Sequence, residues 1–143
     1  MVDNNCFYCT KSEKLHELML EICQLRVSTL FLLKDQAYKG RCIVQYKDHK
    51  TEIYQLDEKD LELYFKDVAD AAEAVSKVFN PDKLNYGIAG DGLPHVHLHL
   101  VPKYKDGPCW GRGYDSVPVE KKLLTDEEYA ERIELIKRNL SYR

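Results

Sequence analysis

Three of the chain's five histidines, His95, His97 and His99, occupy every second position of "LPHVHLHLVPKY", residues 93–104. A strand projects alternate side chains to opposite faces, so all three imidazoles share one face and Val96, Leu98 and Leu100 the other. Neighbouring imidazoles then stand ~6.8 Å apart by the strand rise. That separation suits a row of groups along an extended substrate, or one metal ligand beside one catalytic group. A single strand histidine is ordinarily a solvated surface residue, but clustered imidazoles repel when protonated. Three in register therefore point to chemistry. Two kinds stay open: a zinc site, or nucleophilic and acid–base catalysis.

The second chemical stretch is "CFYC", residues 6–9. Its two-residue gap lets both thiolates reach one tetrahedral metal, but alone it is half a site. No strand-to-helix context surrounds it, which argues against a redox pair. No second CxxC exists, so completing a zinc site falls to His16, His49 or the three strand histidines. Cys23 and Cys42 lie in apolar segments and read as small core residues. Five cysteines and an N-terminus without an apolar signal core argue for reduced thiols in a cytoplasmic protein.

The elements that must position these groups are legible. "SEKLHELMLEICQL" (12–25) has helical spacing at its start, and "VSTLFLLK" (27–34) reads as a strand. A short helix is expected to run into a first strand near residue 20, paired with 28–34. "RCIVQYK" (41–47) is the next strand. Asp57 is placed to cap a long helix carrying the stripe Leu61, Tyr64, Phe65, Val68, Ala71, Ala72, Val75, Val78 and Phe79. Glu62, Lys66, Asp70, Glu73 and Lys77 are expected to face outward. "NPD" (80–82) ends the helix, and "LNYGIA" (84–89) and "HVHLHLV" (95–101) read as a strand pair. Thr125 with Glu128 is a capping box for a last helix reaching about Leu140. Strands, helix, strands, helix, without regular βαβ alternation, specify an antiparallel α+β domain.

The chain has 143 residues with a net charge of −3, which fits one domain over 1–143 and argues against a nucleic-acid-coating protein. No apolar run approaches the ~20 residues of a spanning helix, so no membrane partner is expected.

"HVHLHLV" matches the histidine-triad pattern, His-φ-His-φ-His-φ-φ with φ apolar, at all seven positions. On that motif the chain resembles the histidine triad superfamily of nucleotide hydrolases and transferases, over about residues 4–104. Residues 105–143 form an extension. The resemblance implies a small antiparallel sheet with one long helix packed on it, usually dimerised into one continuous sheet. It also implies that His97 attacks the α-phosphate of a purine nucleotide, making a nucleotidyl-histidine that water hydrolyses. His99 would contact phosphate. In branches with an N-terminal CxxC, similar chains hold structural zinc through the cysteine pair, a histidine after the mid-chain strand and the first triad histidine. Here these are Cys6, Cys9, His49 and His95. The resemblance further implies ribose binding at Asp35 and phosphate contacts at Arg41 and Asn85. Arg41 stands where members commonly have histidine. "GDGLP" replaces the common Gly-Gln-Ser/Thr before the triad, bringing Asp91 near an anionic ligand.

Four functions compete. One is hydrolysis of nucleoside phosphoramidates or dinucleoside polyphosphates. A nucleotidyl transferase is second, although that branch tends to carry glutamine where this chain has His99. A nucleotide-binding or interaction module with weak activity is third. A metalloenzyme with all three histidines on one zinc is fourth.

Overall fold

The computed structural model describes residues 2–141. Two short helices, α1 (Phe7–Thr10) and α2 (Glu13–Leu18), lead into strands β1 (Met19–Gln24), β2 (Ser28–Leu33) and β3 (Cys42–Tyr46). A 3-10 turn (Ile53–Gln55) and the long helix α3 (Glu58–Phe79) follow, then β4 (Lys83–Ile88), β5 (His97–Lys103) and α4 (Asp126–Asn139). The five strands form one antiparallel sheet in the order β1-β2-β3-β5-β4. This is the expected α+β arrangement, with the short helix running directly into β1.

Helix α3 starts and stops as its sequence dictates. The Asp57 carboxylate accepts the backbone N–H of Asp60, and Asn80 closes the far end in a left-handed conformation. Its buried Tyr64, Val68, Ala71 and Val75 pack with Leu30, Val44, Leu98 and Leu100 in one core. The buried Tyr64 hydroxyl donates to the Val44 carbonyl at 2.7 Å, tying α3 to the middle of the sheet. The Thr125–Glu128 capping box is formed in both directions, and α4 packs against α3 and β1.

Three expectations need correction. Asp70 does not face solvent: it is buried and pairs with the Arg26 guanidinium at 2.7 Å. Phe65, placed in the buried stripe, is exposed. The last strand begins at His97 rather than His95. There the backbone leaves the ladder, because the Val96 N–H donates to the Lys50 carbonyl and the His95 N–H to the Leu93 carbonyl. His95 is thereby drawn toward the loop after β3. A second, smaller core lies on the opposite face of the sheet, where Cys6, Tyr8, Leu15, Met19, Phe31 and Ile43 cluster. The N-terminal segment is thus fastened beside the histidines. No helix among the described residues is long and apolar enough to cross a membrane.

Candidate active site and metal centre

Cys6, Cys9, His49 and His95 come together. Their ligand atoms all lie within 4.8 Å of one another, a cluster that could hold a metal ion. Cys6 Sγ is 3.3 Å from His95 Nδ1, and Cys9 Sγ is 3.4 Å from His49 Nδ1 and 3.7 Å from His95 Nδ1. The two Nδ1 atoms are 3.2 Å apart. Four residues from three remote parts of the chain converge because α1 and its N-cap carry the two thiols, the loop after β3 carries His49, and the bent approach to β5 carries His95.

Their outer contacts orient the two imidazoles toward the cluster. His95 Nε2 donates to the Tyr46 carbonyl at 2.8 Å, leaving the Nδ1 lone pair for the cluster. His49 Nε2 lies 3.6 Å from the Asp3 carboxylate, which likewise turns Nδ1 inward. Burial holds His95 below the usual imidazole range, in its neutral, ligating form. Burial also raises the Cys6 thiol, so a cation among the donors would be what deprotonates it.

His97 and His99 face a cavity of about 310 Å³, at the lower end of the size of small-molecule sites. His97 is buried and its Nδ1 donates to the His95 carbonyl at 2.6 Å. The proton is thus fixed on Nδ1, and the Nε2 lone pair is left unspent. Desolvation lowers its pKa, keeping the ring neutral. His99 has the opposite tautomer. Its Nδ1 accepts from Arg41 Nη2 at 3.0 Å, so its proton sits on Nε2. Desolvation, then Arg41 and His97, hold its pKa down to about 3.

Arg41 is 1% exposed and follows Gly40, whose φ of +91° and contact with the Phe79 ring exclude a side chain there. The guanidinium packs near the rings of Tyr38 and Tyr114 and reaches the Asp115 carbonyl, while its Nε has no hydrogen-bond partner among the described residues. Asp35 also lines the cavity, and its Oδ1 accepts the backbone N–H groups of Ala37 and Lys122. Asn85 is not brought to this cavity. It faces the same side of the sheet but lines a neighbouring cavity, beyond Tyr114. Asp91 is exposed on its turn and stands outside the cavity lining.

Two contributors escaped the sequence reading. Tyr8, inside "CFYC", packs against both His95 and His97, with ring centroids 5.3 and 5.4 Å away. The segment after β5 folds back so that Ser116, Pro118 and Leu123 wall the cavity. Tyr114 lies close over β4: a Cβ on Gly87 would stand 2.1 Å from its hydroxyl. The signal for Tyr8 was its place between the two cysteines of the CxxC; the wall left no periodic signal.

Comparisons with known proteins bear on the fold and the family. A HIT-like protein of Mycoplasma genitalium is 33% identical over 95 residues, covering 63% of this chain and 65% of that protein. An adenosine 5'-monophosphoramidase of Schizosaccharomyces pombe is 26% identical over 131 residues, covering 86% of this chain and 95% of that one. The chain thus spans just under two thirds of the Mycoplasma protein and nearly all of the yeast one. The crystal structure of a histidine triad protein from Bradyrhizobium japonicum superposes with a TM-score of 0.82 at 21% identity, covering 91% of this chain and 96% of that one. That of a HIT family protein from Bacillus anthracis gives 0.64 at 27% identity, covering 99% and 100%. The model of the HIT domain family matches residues 21–106, more than half of the sequence and the whole histidine strand, and the chain belongs to that family.

Proposed function

We propose that the protein is a nucleotide hydrolase that cleaves at the α-phosphate of nucleoside phosphoramidates or dinucleoside polyphosphates. The carrying observation is the hydrogen bond from His97 Nδ1 to the His95 carbonyl. It leaves a neutral Nε2 lone pair facing a cavity that also holds His99 and Arg41. That nitrogen attacks phosphorus, and the bond to the leaving group breaks with its electron pair going to the departing atom, an amine nitrogen taking a proton from water as it leaves and a phosphate oxygen leaving as the anion. Water then attacks the nucleotidyl-histidine, the P–N bond breaks, and nucleoside monophosphate leaves. His99 donates from Nε2 to a phosphate oxygen, with Arg41 holding it in that tautomer. Asp35 has the place to receive the ribose, and Leu33, Met19 and Ile43 offer an apolar slot for a purine base. The yeast relative's name, adenosine 5'-monophosphoramidase, is consistent with this chemistry.

Replacing His97 with alanine should cut AMP release from an adenosine phosphoramidate and from a diadenosine polyphosphate by on the order of 10³-fold or more. Both substrates would be followed by chromatography beside the wild type. Undiminished release from a folded variant would sink the reading, and AMP binding without turnover by the wild type would make the protein a nucleotide-binding module.

The metal cluster is read as a structural zinc site. Around a tetrahedral zinc, bond lengths of about 2.3 Å to sulfur and about 2.0–2.1 Å to nitrogen give S–N edges of about 3.6 Å and an N–N edge of about 3.3 Å. The observed S–N separations of 3.3, 3.4 and 3.7 Å and the N–N separation of 3.2 Å match that frame. Four protein donors close the coordination, so the ion would supply cross-linking and orientation of His95. Cys9→Ser is expected to lower bound zinc well below one per chain and the Tm by on the order of 5 °C or more. Elemental analysis showing full zinc retention, or no zinc in the wild type, would contradict the assignment.

A further inference from the structure

Tyr114, lying over Gly87, divides the histidine face of the sheet in two. On one side is the histidine cavity. On the other, between β4 and the turn after β5, is a cavity of about 360 Å³, within the range of small-molecule sites. The two cavities share no lining residue. The second is walled by Lys83, Asn85, Lys103 and Arg112, with Trp110 and two glycines, and by no acidic residue. The β4–β5 register sets Lys83 directly opposite Lys103. Like charges facing each other across two strands destabilise a sheet, and Arg112 adds a third.

The fold's own acids do not answer this charge. None of the three cations takes part in an ion pair among the described residues. Asp115 accepts from the Cys109 thiol at 3.3 Å instead, and Asp82 from the Lys105 backbone N–H. Lys103 is 2% exposed, and its ammonium donates to the Cys109 and Arg112 carbonyls at 2.8 and 2.7 Å, which leaves one donor over. Lys83 donates to the Leu84 carbonyl at 2.8 Å, and Arg112 to the Cys109 sulfur at 3.4 Å. Both of these side chains are exposed and keep further donors for a ligand. The half-buried Asn85 amide makes no hydrogen bond among the described residues. A patch of solvated lysines would hold its ammonium groups in water; Lys103 does not. A buried ammonium that meets only neutral acceptors keeps its charge uncompensated in a low dielectric and attracts an anion.

The donor set selects the anion. Two ammonium groups, a guanidinium and an amide present more donors than one carboxylate can accept, and suit the several oxygens of a phosphate. Gly111 and Gly113 leave open space where a Cβ would stand, so a ligand can come close to the backbone there. Trp110, 42% exposed, adds a flat apolar surface beside the cations.

We propose that this cavity is a second ligand site, separate from the histidines, for a small molecule that carries phosphate. The phosphate lies among Lys83, Lys103 and Arg112, and a ring attached to it lies on Trp110. The site goes beyond the hydrolase reading and does not depend on it: no bond is made or broken there.

Trp110 is the chain's single tryptophan, so its fluorescence reports on this cavity. The full-length wild type would be titrated with inorganic pyrophosphate and, separately, with ADP. Pyrophosphate is expected to change the Trp110 emission saturably, and acetate at equal ionic strength is not. Lys83→Ala and Arg112→Ala should each weaken pyrophosphate about tenfold, with unchanged circular dichroism, and His97→Ala should leave its affinity as it is. No saturable change, the same change with acetate, or an unaltered affinity in the Lys83/Arg112 double variant overturns the site. Loss of the response in His97→Ala also overturns it, because the anion is then in the histidine cavity. The two ligands separate the sources of phosphate. Tighter binding of ADP assigns a ring-bearing phosphate with the ring on Trp110; pyrophosphate binding as tightly or more so assigns an inorganic phosphate chain.

Discussion

The three alternating histidines are one repeat in the sequence and two tautomers in the fold, the middle ring differing from its neighbours. His95 carries its proton on Nε2 toward Tyr46, His97 on Nδ1 toward the His95 carbonyl, and His99 on Nε2 because Arg41 donates to Nδ1. The alternation was legible from residues 95–99 alone. The tautomers of the outer two were not, because each is set by a partner that the sequence places elsewhere, 49 residues away for Tyr46 and 58 for Arg41. Burial of these neutral rings has a consequence for acid stability. In the unfolded chain His99 titrates near 6.5; in the fold desolvation, with Arg41 and His97, holds it to about 3. Between those values the unfolded chain binds a proton that the fold does not. The stability contributed by His99 is therefore complete above about pH 6.5 and is lost progressively as pH falls toward 3. At pH 5 the loss from this residue comes to about 2 kcal/mol. His99→Gln, which keeps an acceptor for Arg41, should shrink the fall in urea midpoint between pH 7 and pH 5. An equal fall in both proteins would place the acid sensitivity elsewhere.

At the scale of elements, the sequence fared best where the rule is local. Asp57, Asn80, Thr125 and Glu128 mark the helix ends that the structure shows, since a cap needs only its own first or last turn. Helical spacing places Asp70 outward because it cannot see a partner 44 residues away. Asp70 and Asp67, to which spacing assigns no face, both face the β1–β2 turn. Asp67 is fully buried. Its Oδ1 accepts from the Arg26 backbone and guanidinium at 3.1 and 3.0 Å, and its Oδ2 from Val27 N and Ser28 Oγ at 2.9 and 2.7 Å. One carboxylate thus satisfies two backbone N–H groups that the turn leaves without sheet partners, and fixes α3 against the sheet edge. Asp67→Ala leaves the Arg26 and Val27 N–H groups and the Ser28 hydroxyl without this acceptor, the guanidinium keeping Asp70, and should cost about 3–5 kcal/mol in chemical denaturation. Glu62→Ala, which breaks an exposed pair with Lys66 on the same helix, is the control expected to leave the midpoint unchanged. A loss at Asp67 no larger than that at Glu62 would mean that the turn finds other acceptors.

Across the whole molecule, the motif-bearing portion ending near Tyr104 does not by itself enclose the histidine cavity. The segment after β5 completes it, held by bonds from Gln36 N to the Lys122 carbonyl, Lys122 N to Asp35 and Asp115 N to the Tyr38 hydroxyl. These tie two irregular stretches together, mostly through the backbone, and so leave no pattern to find in the sequence. The opposite edge of the sheet raises the question of a second copy. β4 is an edge strand, and α3 packs over β2, β3 and β5. Tyr86 and Ile88 project from β4 on the helix side yet remain 52% and 39% exposed. An edge strand with unpaired backbone groups and two uncovered apolar side chains on one face is a surface suited to strand pairing. Two-fold pairing through β4 would bury both in an isologous contact and join the two sheets into one. Sedimentation of the wild type should therefore give twice the chain mass of 16.7 kDa, and Ile88→Glu, with a carboxylate in the contact, should sediment at 16.7 kDa with unchanged secondary structure. A wild type that sediments as a single chain removes the dimer. A variant that stays dimeric moves the contact off β4.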